Sequence, residues 1–165
     1  MKRMNKKGSV ADLIFIGVVL LVFAVAVLIG FKITGMFNTQ IQGMDIMPAE
    51  AKTASTSILG FYPGVIDNSF LLLAAGLAIV SLILASLVRV HPIFLALFVI
   101  AWIFSIFLGG VFSNIYQEMT ANSALAAEAA QLTFTNFVMT YLPFFIGIVG
   151  ILLMIVMYKL SDSGA

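Results

Sequence analysis

Cysteine is missing from the 165-residue chain, and histidine occurs once, at His91. The first absence excludes disulfides, thiolate metal ligands and cysteine nucleophiles. The second excludes a histidine-based metal cluster within one subunit. Charge is scarce as well. Only 9% of residues are Asp, Glu, Lys or Arg, against ~25% in an ordinary soluble domain. The net charge of +1 implies no polyelectrolyte attraction, so no specific nucleic-acid binding is expected. No Ser-His-Asp set, glycine-rich phosphate loop, HExxH or metal-ligand spacing occurs. The expectation is a chain that is not an enzyme, with no cofactor and no small-molecule substrate. What is abundant is apolar residue, at 62%. A soluble fold of this size cannot bury so much apolar surface, whereas lipid leaves it no need to.

The apolar residues fall into four charge-free runs of membrane-crossing length, ~20 residues each. They predict spans at about 12–34, 68–88, 92–113 and 136–158. None has the period-2 alternation of a membrane β-strand. The predicted fold class is therefore all-α, an integral membrane protein with four transmembrane helices in a single domain, 1–165. Pro92 falls in the first turn of the third span, where its missing N–H costs little. Pro143 lies inside the fourth, which predicts a kink there or a later helix start.

Orientation follows from the cations. With the N-terminus inside, the inner segments hold Lys2, Arg3, Lys6, Lys7, Arg89 and Lys159, and the outer ones only Lys32 and Lys52. This obeys the positive-inside rule and places both termini inside. The link Arg89-Val90-His91 is so short that the second and third spans are expected to form a tight antiparallel hairpin. The two outer connections are longer. Met47-Pro48-Ala49-Glu50 begins a predicted short helix near the interface. The alanine-rich stretch 120–132 predicts a second, with Asn122 or Ser123 as its N-cap.

The polar residues have plain expected roles. Lys2, Arg3, Lys6, Lys7, Arg89, His91 and Lys159 are the candidate contacts for lipid headgroups or a partner. Lys32 is expected to snorkel to the interface, with pairing to an acid across the bundle as the alternative. Asp12 and Asp67 stand at the starts of their own helices, where the helix dipole favours a carboxylate. Glu118 and Glu128 are read as a solvated outer surface. Asn68, Ser81, Ser86 and Ser105 could bond between helices. Ala26-x-x-x-Gly30, Ala74-x-x-x-Ala78 and Ser81-x-x-x-Ala85 fit the small-residue spacing of close helix packing. The abundant phenylalanine, 15 residues, is read as lipid-facing bulk. No charge lies mid-span, which argues against a proton pump or an ion-coupled transporter.

Two resemblances accompany this reading. Lys6-Lys7-Gly8-Ser9 before an apolar helix carrying an acid resembles an archaeal-type prepilin signal. It departs from that pattern because Asp12 is the fourth residue after Gly8, where Glu is usual at the fifth. An uncleaved first span is expected. The second half runs Arg89-Val90-His91-Pro92-Ile93-Phe94, then Phe112-Ser113-Asn114-Ile115-Tyr116-Gln117-Glu118, an alanine-rich segment, Asn136-Phe137 and a final Tyr158-Lys159. It resembles small polytopic membrane proteins of lipid-containing viruses and related phage and archaeal elements. That resemblance implies a virion membrane protein under or within a capsid shell. The expected function is structural: organising a bilayer or anchoring a protein shell. The expected partners are lipid and either further copies of the chain or capsid proteins. A holin-like or pore-forming protein, a pilin-like or secretion-system subunit, and an accessory subunit of a larger complex are the alternatives.

Overall fold

The computed structural model describes residues 10–86 and 92–162, with side chains described for 14–86 and 95–159. These residues form helices and no strands. Helix α1 spans Val10–Gly43 and α2 spans Ala49–Tyr62. A π-helical turn, Pro63–Asp67, joins α2 to α3 (Asn68–Ser86). Then come α4 (Pro92–Ala121), α5 (Ala126–Ala129), α6 (Thr133–Thr140) and α7 (Leu142–Asp162). Four of the helical stretches are long and apolar enough to cross a membrane: Ile14–Gly43, Ala49–Ser86, Leu95–Ala121 and Leu142–Lys159.

Helix α7 lies between α3 and α4 and packs on both, and α4 packs on α1. Among the described residues α3 and α4 share little direct packing, so the bodies of the second and third long helices do not pair as a tight hairpin; the link Arg89-Val90-His91 itself lies outside the described residues. Val149, Leu153 and Met157 of α7 meet Ala85 of α3 on one side and Phe98 of α4 on the other. Glycine makes the α4–α7 approach possible. A Cβ at Gly109 would stand 3.4 Å from the Pro143 backbone, and one at Gly150 would collide with the Trp102 indole. The indole N–H instead donates to the Ile146 carbonyl at 3.3 Å.

The end of the bundle carrying α2, α5 and α6 is the broad end. There the structure differs from the sequence expectations, or decides between them, at three points. First, α2, the predicted short helix, is not set off from the second span by a non-helical turn. It runs antiparallel along the last turns of α1 and continues through the π turn into α3, a rod of 38 residues. Gln42 Nε2 donates to the Lys52 carbonyl and to Thr56 Oγ1, Lys52 Nζ donates to the Gln42 carbonyl, and Phe31 stacks on Tyr62 with centroids 4.8 Å apart. Second, the alanine-rich stretch yields a single turn of helix, because α4 continues to Ala121 before the chain reverses. Asn122 Oδ1 accepts from the Ala124 N–H in an Asx-type turn and caps no helix. Third, the fourth run breaks at Tyr141 into α6 and α7, which leaves Pro143 in the first turn of α7, the later of the two helix starts that the sequence allowed.

Helix α1 is also out of level with the others. Gly17, near its start, packs against Phe112, far along α4, and Ile146, early in α7. At 1.5 Å per residue this displaces α1 toward the broad end by about 15–20 Å relative to α4. Leu13–Phe31 is thus not level with the other three runs. Its far half, with Val27, Leu28 and Phe31, packs against Ala129 and Leu132 instead. Lys32 misleads as a boundary mark because its charge is paired inside the protein.

Candidate functional site: a polar tie at the broad end

Asp67 is the most consequential polar residue described. The sequence places it at the start of its own helix, in reach of that helix's dipole. The structure puts it in the π turn, where the helix widens after Pro63, with only 4% of its surface exposed. It serves a different helix. Asp67 Oδ2 accepts from the Phe134 N–H, and Oδ1 accepts from both the Thr135 N–H and the Thr135 hydroxyl, each at 2.7 Å. Those amides belong to the first turn of α6, which lacks a side-chain cap of its own. A carboxylate there satisfies orphan donors and meets the positive end of the α6 dipole. It ties the second long helix to the segment leading into the fourth.

A second chain of hydrogen bonds ties α4 to the same segment. The buried Tyr116 hydroxyl donates to Asn136 Oδ1 at 2.8 Å, and Asn136 Nδ2 donates to the Ala129 carbonyl at 2.6 Å. Ser113 Oγ donates to the Thr140 carbonyl at 3.0 Å, next to the break at Tyr141, and accepts from Gln117 Nε2. Asp67, Tyr116 and Ser113 from other helices, with Thr135 and Asn136 of its own, thus hold an 8-residue helix that is too short to persist alone.

The third tie joins α1 to α5. Lys32 Nζ reaches Glu128 Oε1 at 3.0 Å, with side-chain exposures of 35% and 15%. Lys32 therefore takes the cross-bundle pairing rather than snorkelling, and Glu128 is not part of a solvated surface. Glu118 is exposed, as expected. Glu128 Oε2 is buried without a partner, so the pair carries an uncompensated desolvation cost. Replacing Lys32 alone by Met is expected to cost more stability than replacing the pair together as Lys32→Met with Glu128→Leu, because the single change strands a half-buried carboxylate. Comparing the three unfolding midpoints in mixed micelles checks this.

Lys2, Arg3, Lys6, Lys7, Arg89 and His91 lie outside the described residues, as does the Asp12 side chain. Lys159 is exposed in the last turn of α7. Asn68, Ser81, Ser86 and Ser105 do not bond between helices. Each donates to a carbonyl three or four residues back in its own chain, Gly64, Leu77, Ile83 and Ala101 respectively. Of the small-residue pairs, Ala74 and Ala85 are buried, and Gly30 makes room for the Tyr62 hydroxyl, which donates to the Val27 carbonyl at 3.0 Å. Three of the phenylalanines, Phe31, Phe70 and Phe98, are core residues rather than lipid-facing ones.

Sequence reasoning missed Thr135, Tyr116 and Asn136. The available signal was weak: polar residues clustered where the charge-free runs end, in two segments far apart in the chain.

Chemically, the cluster is saturated. Both Asp67 oxygens accept hydrogen bonds, and the Tyr116 hydroxyl is engaged. Among the described residues, no three His, Asp or Glu converge on one point. An open groove of ≈ 290 Å³ between α1 and α2 is lined by Gln42, Lys52, Thr53, Thr56 and Ser57, whose polar groups largely bond one another. Compared with protein-family models, curated proteins and solved structures, the chain matches none.

Proposed function

We propose that this chain is a structural protein of a membrane, crossing it four times with both termini on the inner side, and that it acts by packing and by contact rather than by chemistry. The observation that carries this reading is how the polar side chains at the broad end are used. Asp67, Thr135, Tyr116, Asn136, Ser113 and Lys32 with Glu128 all bond helix to helix. Among the described buried side-chain atoms, Glu128 Oε2 alone lacks a partner. The surrounding surface along α3, α4 and α7 is apolar, with Leu72, Ile100, Phe107 and Ile155 among its exposed residues, as suits a lipid-facing exterior.

The membrane concerned is proposed to be that of a virion, with the broad end outside and the basic segments Lys2–Lys7, Arg89-Val90-His91 and Lys159 contacting inner headgroups or a protein shell. The support is the spacing of the second half and the Lys/Arg bias. Within that frame α2 and α5 stand at or above the outer headgroups.

Two measurements test the proposal. Reporters fused after Ala165 and inserted at Val90 are expected to face inside, and one at Asn122 outside. A reporter at Asn122 on the inner side overturns the topology. Quantitative mass spectrometry of purified membrane-containing particles from the source is expected to find the chain at high copy. Absence from particles, with permeabilisation of host membrane, replaces the structural reading with the pore-forming one.

A further inference from the structure

The apolar exterior of this protein is taller than a bilayer core. Helix α3, Asn68–Ser86, is 19 residues long, about 28 Å at 1.5 Å per residue. That nearly fills the ~30 Å hydrocarbon layer, and the headgroups add only ~5–7 Å on each side. Phe61 and Ile58 lie beyond Asn68 on the same rod, about 10 and 15 Å further out. Phe37 of α1 stands level with them, because Asn38 and Gln42 pair with Thr56 and Lys52 across the α1–α2 hairpin. These three large side chains are 70%, 62% and 61% exposed, respectively.

They also share a flank. On α1, Val27, Phe31 and Gln42 point toward α2, while Lys32 points toward α5. At 100° per residue, Phe37 falls on the side away from α5. On α2, Thr56, Leu59 and Tyr62 turn toward α1. This leaves Ile58 on the same flank as Phe37, with Phe61 at its edge; Val65, in the π turn, lies about 10 Å closer to the membrane, at headgroup level. No charged side chain interrupts the patch.

We infer that this flank of the α1–α2 hairpin docks against the same flank of a second copy. The inference rests on the membrane reading above. Acyl chains do not reach this height, so the patch faces water unless protein covers it, and exposed apolar surface of this extent marks an interaction site. Membrane-held copies share one height and one orientation, which presents like patches to each other about a two-fold axis along the membrane normal. Phe37, Ile58 and Phe61 together offer about 350–400 Å² per copy. The pair would bury about 700–800 Å², the size of a small, transient interface, which confinement of both copies to one membrane plane favours. The hairpin is also rigid, held by the Phe31–Tyr62 stack and the Gln42–Lys52–Thr56 bonds, so little ordering is lost on docking.

The absence of native cysteine makes the test clean. The full chain carrying Ile58→Cys is reconstituted into phosphatidylcholine vesicles at high and low protein density. At high density, mild oxidation is expected to give a disulfide-linked dimer. At low density, the same thiol is expected to react with a membrane-impermeant maleimide in opened vesicles. Adding Phe61→Asp, a charge on an exposed face that leaves the core intact, is expected to reduce the dimer at least about tenfold. Phe61→Ser serves as a milder second breaker. Full labelling with no dimer at high density means the patch stands bare and overturns the inference. Neither label nor dimer means lipid covers it, which overturns it too. Asn122→Cys, exposed at the same end, keeps the premises separate. If Asn122→Cys resists the maleimide, the membrane reading has failed; if it labels while Ile58→Cys gives no dimer, only the docking has.

Discussion

Asp67→Ala is expected to be the most damaging single polar substitution in the chain, lowering stability by about 3–5 kcal/mol. The carboxylate accepts three hydrogen bonds of 2.7 Å from one turn of α6. Hydrogen bonds to a charged group are the strong ones, and the donors left behind are two backbone amides and the wholly buried Thr135 hydroxyl. With its cap gone, α6 frays, and with it the join between Thr140 and α7. Asp67→Asn retains Oδ1 for Thr135 but turns an NH₂ toward the Phe134 amide, so it is expected to lose about half as much. Unfolding midpoints of the two variants in mixed micelles, set beside the native chain, decide the matter. Equal, small losses for Asn and Ala would show that water takes over the α6 amides without penalty.

The second large effect is steric. Gly150→Ala places a methyl where the Trp102 indole already lies. The ring must leave, and its N–H loses the Ile146 carbonyl. The expected cost is about 2–3 kcal/mol, from overpacking and from a polar N–H left in an apolar layer. Trp102 is the sole tryptophan of the chain, so its fluorescence reports the displacement directly as a shifted emission maximum. The double change Gly150→Ala with Trp102→Phe is expected to be no less stable than Trp102→Phe alone, since the smaller ring yields the space. Two additive losses would show that the contact is not what confines Gly150.

These two effects differ in how far the sequence announced them. The existence of four long apolar helices was legible because each charge-free run is a dense signal, and lipid-compatible composition admits few other folds. The end of the fourth run was half legible: Pro143 demanded either a kink or a later start, and the chain takes the later start. Lateral order was not legible. A five-residue link between α3 and α4 limits how far apart their ends stand, yet it does not make them neighbours. Gly109 and Gly150, together with Trp102, draw α4 to α7 more closely than any feature draws it to α3.

The polar residues were the least legible. Sequence proximity assigned Asp67 to the helix it begins, when its partners lie 67 and 68 positions away. Lys32 and Glu128, 96 positions apart, read as an interfacial lysine and a solvated acid, and the sequence offers pairing of Lys32 across the bundle only as an alternative without pointing to the acid. A buried pair reads as two ordinary residues until the fold brings them together. That one pairing also moved α1, because a neutralised lysine no longer marks where a helix leaves lipid.

The π turn at Pro63–Asp67 acts as a phase shifter. A helix turns 100° per residue, so widening one turn by a residue rotates everything beyond it by roughly that angle relative to an uninterrupted helix. Tyr62 on one side must point at Val27 of α1, and Asp67 on the other at Thr135 of α6. An unbroken α-helix through these positions would satisfy one of those bearings and miss the other. The single rod from Ala49 to Ser86 thus serves two partners lying in different directions, and the residue count of one five-residue turn sets the angle between them.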